Sequence, residues 1–215
     1  DFPGATPDHV NGARYLYEVY ARAVPDYTGK VTVPLLWDRQ SGSIVNNESA
    51  DLIRMLGTHF RVMGGDGPDF YPEHLRQEID AVNETVYAVN NGVYRCGFAG
   101  SQAAAKLFAA LAALDARLQH TPFLVGEAIT EADWRLFTSA IRFDPVYYVH
   151  FKCSQRQYAD FPGLARHLDR LRQYPGVAGT IWLDHIRHHY YRSHLRINPH
   201  GIIPIGPLMP WESED

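Results

Sequence analysis

The chain has 215 residues, of which 46% are hydrophobic and 20% charged, and its formal net charge at neutral pH is −4. This composition is typical of a folded globular protein and excludes a disordered or fibrous chain. The small negative charge argues against a nucleic-acid-binding surface, which needs clustered basic residues. No apolar stretch approaches the roughly 20 residues of a membrane-spanning helix. Two cysteines are too few for a disulfide framework, so reduced thiols in the cytoplasm are the simpler interpretation.

A helix and then a β-hairpin are the first elements that the pattern predicts. Apolar residues at helical spacing predict a helix over 13–23. Two short apolar runs, at 31–37 and 43–45, flank turn-forming residues at 38–42 and predict the hairpin. Pro34 lies in the first run, and because proline cannot donate to a ladder, this strand is an edge strand or ends there.

The hairpin leads into a second predicted helix, whose N-terminus is a candidate anion site. Asn47, Glu48 and Ser49 stand at or just before an apolar helical repeat that ends near Gly57. Free N–H groups and the helix dipole at such a position favour a carboxylate or a phosphate. The alternative is a capped helix without a ligand, and the pattern alone favours this alternative.

A loop at 63–68 is rich in glycine, and the domain boundary is placed there, between a first domain at 1–67 and a second at 68–215. The second domain is predicted to be mostly helical. Its first helix begins at Pro72 and is expected to break at residues 90–92, which read Asn-Asn-Gly.

The rest of the second domain continues the helical pattern. Residues 103–118 are rich in alanine and leucine, which are strong helix formers. The tail after 196 contains too many proline and glycine residues for a helix and is expected to pack across the surface. Three further helices are predicted, at 131–142, 164–174 and 177–191.

Thr130 and Asp133 fit an N-capping box at the start of the helix over 131–142. In such a box the threonine side chain caps the N3 amide and the acidic side chain reaches back to the N-cap. A catalytic aspartate is the alternative, and a folding element is favoured because the box directly precedes an apolar helix.

Histidines and cysteines are the remaining candidates for chemistry. His185, His188 and His189 have helical spacing, but a zinc site wants a further ligand and a carboxylate behind it, and no HExxH or CxxC motif is present. A packed or solvated helix face is favoured, so no metal is predicted. A reactive thiolate is usually found at a helix N-terminus, whereas Cys96 is expected between two helices and Cys153 follows an aromatic stretch, and neither has a CPxx context.

Four segments of the chain resemble one known family, the glutathionyl-hydroquinone reductases, which form the xi class of the glutathione transferases. They read VPLLWD with GSIVNNES at 33–49, VYRCGFA at 93–99, FDPVYYVHFKC at 143–153 and SHLRINPHGIIPIGP at 193–207. The resemblance implies an α+β fold, the last part of a thioredoxin-like glutathione-binding domain at 1–67. An all-α transferase C-terminal domain with an extended tail follows at 68–215.

The resemblance also implies that parts of the family pattern lie outside this chain. The family nucleophile is the cysteine of a Cys-Pro-Trp-Ala motif in the first strand–helix turn of the thioredoxin-like domain. That motif does not occur in this sequence, and we expect it in a preceding segment. The family also has a longer segment around residues 101–106.

Glutathione is the co-substrate that the resemblance implies. The Val33 backbone, ahead of a cis-Pro34, would pair with the cysteinyl backbone of glutathione. Glu48 and Ser49 would hold its γ-glutamyl end.

Three tyrosines match the family's aromatic pocket. By resemblance, Tyr94 is the proton donor and acceptor, and Tyr147 and Tyr190 stabilise the thiolate. The chemistry suits tyrosine, because a hydroxyl can relay a proton and can donate to a thiolate, which lowers the thiol pKa.

The implied activity is glutathione-dependent reduction of glutathionyl-hydroquinones, through a mixed disulfide on the family cysteine, in a cytoplasmic homodimer. Glutathione and aromatic hydroquinone conjugates are the expected partners, and no nucleic acid, membrane or metal is expected. One alternative is an omega-type thiol or dehydroascorbate reductase. The other is a non-catalytic, transferase-like interaction module.

Overall fold

The computed structural model describes residues 4–64, 67–99 and 101–213. The chain divides into two compact units, Asp1–Asp69 and Phe70–Asp215. The first is an α+β unit and the second is helical, so the predicted fold class is confirmed. The predicted boundary between 67 and 68 stays a prediction, and the neighbouring Gly65 and Asp66 are outside the described residues. In the part of the chain that the structure describes, no helix is long and apolar enough to cross a membrane.

The first unit contains one antiparallel hairpin, in which Trp37 lies opposite Ile44. The predicted strand over 31–37 is wrong in its first part, because the strand begins at Leu36, and Asp38, which was predicted in the turn, is its last residue. Residues 63 and 64, predicted as loop, are helical. The elements are α1 (Leu16–Ala23), β1 (Leu36–Asp38), β2 (Ser43–Asn46), α2 (Ser49–Gly57) and α3 (Arg61–Gly64).

Helix α1 begins three residues later than predicted because a side chain fixes its start. The Glu18 carboxylate accepts hydrogen bonds from the backbone amides of Arg14 and Tyr15, at 2.7 and 2.9 Å. These contacts place Tyr15 at the N-cap. The predicted helix after the hairpin is confirmed, with Glu48 at its N-cap and Gly57 as its last residue.

The second unit is built from helices around one apolar core. Helix α4 packs on α5 and α6, and α8 packs on both α5 and α6. A π-helical segment, Phe143–Tyr147, joins α6 to α7. Short 3₁₀ turns lie at Glu73–Leu75, Tyr158–Asp160, Ala178–Thr180 and Pro210–Ser213. The α-helices are α4 (Arg76–Ala99), α5 (Ser101–Leu118), α6 (Glu131–Arg142), α7 (Tyr148–His150), α8 (Pro162–Arg172) and α9 (Leu183–Ser193).

Helix α4 runs straight through Asn90-Asn91-Gly92, so the predicted break there is wrong. Asn90 donates to the backbone carbonyl of Arg135 at 3.1 Å and accepts from the Ser139 hydroxyl at 2.7 Å. A Cβ atom on Gly92 would lie 3.3 Å from the Leu107 side chain. These residues therefore serve contacts between helices rather than a turn.

The continuity of α4 also corrects the expected position of Cys96, which lies inside this helix rather than between two helices. The longer family segment expected around 101–106 adjoins Gly100, which is outside the described residues, and it stays an expectation.

The capping box at Thr130 and Asp133 is confirmed. One Asp133 oxygen accepts from the amide and the hydroxyl of Thr130, at 2.8 and 2.9 Å. The other accepts from the Leu124 amide at 2.8 Å and from His167 Nε2 at 2.7 Å. Asp133 is fully buried, so it ties α6 and α8 to the preceding loop.

The last helix and the tail are joined by hydrogen bonds. Residues 178–180 form a 3₁₀ turn and Ile181 is extended, so α9 begins at Leu183 and not at 177 as predicted. Arg187 donates two hydrogen bonds to Glu212, at 2.6 and 2.7 Å. Met209 is 2% exposed, so the tail packs against the helical unit.

Candidate functional site

The three predicted tyrosines meet in the second unit. Tyr94 comes from α4, Tyr147 from the π-helical segment and Tyr190 from α9. The hydroxyl oxygens of Tyr94 and Tyr190 are 2.7 Å apart, and those of Tyr147 and Tyr190 are 3.0 Å apart. Tyr190 is therefore the middle member of a continuous hydroxyl chain.

The position of Tyr147 depends on a buried carboxylate in the π-helical segment. Asp144 accepts hydrogen bonds from the amides of Tyr158 and Ala159, at 2.6 and 3.1 Å. Burial raises the pKa of Asp144 even though these two bonds lower it. The contacts fasten the segment to the following 3₁₀ turn and so fix the direction of Tyr147.

Exposure along the hydroxyl chain is graded. Tyr147 is 2% exposed, Tyr190 6% and Tyr94 40%. Burial, together with the charge that a neighbouring ionised tyrosine would carry, raises the pKa of both Tyr147 and Tyr190. Both inner hydroxyls are therefore protonated at neutral pH, and Tyr94 is the member that a ligand in solution reaches.

An aromatic wall surrounds the hydroxyl chain. The Phe151 ring stacks on Tyr147, with centroids 5.5 Å apart and planes at 7°. His194 stacks on the same Phe151 ring at 5.8 Å and 22°. Phe98, 62% exposed, lies 5.8 Å from Phe151. The wall and Tyr94 together present flat apolar surface and a hydroxyl, which suits an aromatic ligand.

Sequence reasoning did not single out Phe98, Phe151 or His194 as site residues. The available signal was their occurrence inside the family-like segments at 93–99, 143–153 and 193–207. A glycine makes the wall possible, because a Cβ atom on Gly97 would lie 2.5 Å from Phe151 Cδ1.

Two imidazoles contact each other at this wall. His150 Nε2 and His194 Nδ1 are 3.0 Å apart, and the two rings stack. Burial, and then the charges of His194 and Lys152, lower the pKa of His150 to about 4. Burial also lowers the pKa of His194, so both rings are neutral at physiological pH.

The predicted glutathione-binding residues lie in the first unit. Val33 precedes the cis peptide bond, and Glu48 and Ser49 begin α2. The Glu48 amide donates to the Asn46 side chain at 2.6 Å, and the Glu48 carbonyl accepts from the amide of Leu52. All three residues are exposed. The position of the tyrosine cluster beside the 33–49 segment stays a prediction.

The two cysteines have the environment of structural thiols. Cys96 is 9% exposed and Cys153 is fully buried, with Cys153 Sγ 3.9 Å from the Val93 carbonyl oxygen. Burial raises the pKa of both thiols, which disfavours the thiolate that a nucleophile needs. Across the described ranges, no group of three or more histidine, cysteine or acidic side chains could hold a metal ion.

Comparison with known proteins gives consistent matches. A family model described as glutathione S-transferase, C-terminal domain, matches residues 73–170. The glutathionyl-hydroquinone reductase YqjG of Escherichia coli (strain K12) is 48% identical, over all of this chain and 66% of its own length. The glutathionyl-hydroquinone reductase PcpF of Sphingobium chlorophenolicum is also 48% identical, over 95% of this chain and 67% of its own.

Solved structures agree with these matches. The glutathione-bound structure of YqjG has a TM-score of 0.92 at 48% identity, covering 97% of this chain and 70% of that one. Glutathione-S-transferase Xi from Phanerochaete chrysosporium has a TM-score of 0.92 at 45% identity, covering 96% and 73%. The chain spans about two thirds of the length of the curated relatives that it matches.

Proposed function

Because the chain belongs to the glutathionyl-hydroquinone reductases, the xi class of the glutathione transferases, we propose that it performs their reaction. In this reaction a cysteine thiolate, supplied by a segment outside these residues, attacks the sulfur of a glutathionyl-hydroquinone. The carbon–sulfur bond breaks, the aromatic carbon takes up a proton, and a mixed disulfide with glutathione forms. A second glutathione attacks that disulfide, which releases glutathione disulfide and restores the thiolate.

The hydroxyl chain of Tyr94, Tyr190 and Tyr147 is the observation that carries this proposal. Tyr94 is the exposed end, held by Tyr190 at 2.7 Å, and we assign it the transfer of the proton to the ring carbon. Tyr190 and Tyr147 stay protonated and supply hydrogen bonds that stabilise the negative charge of the thiolate, Tyr147 through its 3.0 Å contact with Tyr190.

The first unit would bind glutathione mainly through its backbone. Val33 is exposed, which leaves its backbone groups available to the cysteinyl backbone of glutathione. The N-terminus of α2, at Glu48 and Ser49, supplies amides and a hydroxyl to a carboxylate. The glutathione-bound structure of the YqjG relative supports glutathione as the ligand.

We also propose that the protein is cytoplasmic and forms a homodimer through its helical unit. Exposed apolar side chains after α9 support the dimer, since association would remove them from water. These residues are Leu195, Ile202, Ile205 and Leu208. A dimer mass in light scattering at micromolar concentration is expected, and a monomer mass would contradict this assembly.

An omega-type thiol or dehydroascorbate reductase is the second candidate. Glutathione S-transferase omega-like 2 of Schizosaccharomyces pombe is 41% identical, over 95% of this chain and 70% of its own length. Turnover of glutathionyl-menadione without turnover of dehydroascorbate supports the first proposal, and the reverse supports the second. Activity on neither would leave the non-catalytic interaction module.

Two substitutions, made in the protein that carries the family cysteine, separate effects on proton transfer from effects on glutathione binding. Tyr94→Phe is expected to lower turnover of glutathionyl-menadione about 10²-fold, the usual scale for one general acid, with glutathione affinity unchanged. Ser49→Ala is expected to weaken glutathione binding in calorimetry by about 1 kcal/mol, one hydrogen bond, with turnover at saturation unchanged. Full activity of Tyr94→Phe would rule out its assigned role.

A further inference from the structure

We propose that Tyr20 is a positioning residue that holds together the two chain segments that bind glutathione. This inference rests on the proposed function, because it assumes that Val33 and the start of α2 contact glutathione. Tyr20 lies on α1 and is 3% exposed. In the sequence it is adjacent to neither of the two predicted glutathione-binding segments.

The Tyr20 hydroxyl uses its full hydrogen-bonding capacity on two other segments. It donates to the Thr32 carbonyl oxygen at 2.9 Å. It accepts from the Thr32 amide at 3.3 Å and from Asn47 Nδ2 at 3.1 Å. One donor and two acceptor positions are all that a tyrosine hydroxyl offers.

The Asn47 side chain completes the network. Its amide nitrogen has two hydrogens, and the second is donated to Thr32 Oγ1 at 3.0 Å. Thr32 and Asn47 are 15 residues apart in sequence, and two hydrogen bonds at the amide nitrogen of Asn47 connect them, one direct and one through Tyr20.

The sequence neighbours of these two residues give the network its consequence. Thr32 directly precedes Val33, and Asn47 directly precedes Glu48, the N-cap of α2. Residues 31–35 lie outside the β ladder, which begins at Leu36, so no strand pairing fixes the Val33 backbone. Its direction depends on the side-chain hydrogen bonds at Thr32, and a misdirected backbone would lose the contact with glutathione.

Tyr27, in the loop that follows α1, offers a matched control. Its ring lies 5.0 Å from the Tyr20 ring, and its hydroxyl donates to the Lys30 carbonyl at 2.8 Å. This hydroxyl bonds near Thr32 but does not bridge to Asn47. Tyr27→Phe therefore removes a tyrosine hydroxyl from the loop while it leaves the connection between the two binding segments intact.

The test compares Tyr20→Phe, Asn47→Ala and Tyr27→Phe in the protein that carries the family cysteine. Tyr20→Phe and Asn47→Ala are each expected to raise the KM for glutathione and for glutathionyl-menadione about five- to tenfold, from the loss of one or two hydrogen bonds. The kcat of both variants should stay within about twofold of the original, because the tyrosine cluster is untouched. Tyr27→Phe should leave both constants unchanged.

A double-substitution cycle separates positioning from general stabilisation. The combined Tyr20→Phe and Asn47→Ala variant should lose no more affinity for glutathione than the worse single variant, because both act on one network. Additive effects, or a lower melting temperature with an unchanged KM, would overturn the inference. An original protein that binds no glutathione would instead overturn the proposed function, and this inference with it.

Discussion

The two units of the chain are held together in different ways. Among the described residues of the first unit, the buried hydrophobic side chains are Val19 and Tyr20. Hydrogen bonds of polar side chains also connect its segments, as at the Tyr20 hydroxyl and its contacts with Thr32 and Asn47. The second unit has a continuous apolar core, and its predicted functional side chains stand on helices that this core fixes.

This difference corresponds to two kinds of recognition. A site made of backbone groups, such as the one proposed at 33–49, needs only a few exposed residues whose direction is fixed. A site made of tyrosine side chains needs rotamers that are held by dense packing. We therefore expect that changes to buried groups reduce the stability of the second unit strongly, and that the loss of a hydrogen bond in the first unit changes glutathione binding more than stability.

Asp133→Ala is expected to have the largest effect on the stability of the second unit. The change leaves the donors of Thr130, Leu124 and His167 without their acceptor in the core. Removal of one partner from such a buried network costs about 3–5 kcal/mol. Urea denaturation followed by circular dichroism, which is dominated by the helical unit, measures this loss.

Asp8→Ala is the counterpart in the first unit. Asp8 also accepts hydrogen bonds from backbone amides, those of Val10, Asn11 and Ala13, but in a partly exposed turn. Water can replace the lost carboxylate there, so the loss should be far smaller than for Asp133→Ala. Equal losses in the two variants would contradict the contrast between the units.

The features predicted well from the sequence are those determined by neighbouring residues. The turn, which covers 39–42 of the predicted 38–42, the start of α2 within the predicted Asn47 to Ser49, and the capping box at Thr130 and Asp133 each depend on residues a few positions apart. The predicted break at residues 90–92 was wrong because the partners of Asn90, Arg135 and Ser139, lie more than 40 positions away.

The tyrosine site shows the same limit. Tyr94, Tyr147 and Tyr190 were identified by family resemblance, since nothing in their spacing brings them together. The fit of Phe151 against Gly97 depends on the packing of α4 against the segment that follows α7, over 54 positions of sequence. Such a contact follows from the tertiary structure and has no local pattern.

Gly97→Ala is expected to have the next largest effect. The added Cβ would lie 2.5 Å from Phe151 Cδ1, so the ring and its stacking on Tyr147 must shift. Overpacking of a core costs about 1–3 kcal/mol. The loss should appear in urea denaturation, together with a changed near-ultraviolet circular dichroism signal from the tyrosines.

Gly92→Ala is the matched control for this change. Both glycines lie in α4, so alanine improves helix propensity by about 1 kcal/mol in each case. A Cβ on Gly92 meets Leu107 at 3.3 Å, a contact that a small shift relieves. The difference in stability between the two variants isolates the steric cost of the contact with Phe151. A Gly97→Ala protein as stable as Gly92→Ala would show that the Phe151 ring moves aside without cost.

The units should also respond differently to acid. Burial lowers the pKa of His150 to about 4, and the pKa values of His189 and His194 are lowered too, again chiefly by burial. An unfolded histidine takes up its proton near pH 6.5. Between pH 6.5 and about 4 the unfolded state therefore binds more protons than the folded state, and the second unit loses stability as the pH falls.

In the first unit, the described carboxylates with lowered pKa values cause no loss of stability between pH 6.5 and about 4. Hydrogen bonds lower the pKa of Asp8 and of Asp38 below 3.8, so the stability that they contribute is lost only as the pH falls through about 4 and below. Asp144 in the second unit acts in the opposite direction to the histidines, because burial raises its pKa and its protonation then favours the folded state.

His150→Phe tests which of these groups controls the acid response of the second unit. Trp134, Trp182 and Trp211 all lie in this unit, so in a Trp37→Phe background tryptophan fluorescence reports its unfolding alone. The slope of stability against pH between 6.5 and 4 should be shallower in the His150→Phe protein, because one titrating ring is gone. An unchanged slope would assign the response to His189 and His194. A stability that rises towards acid would mean that Asp144 outweighs all three histidines.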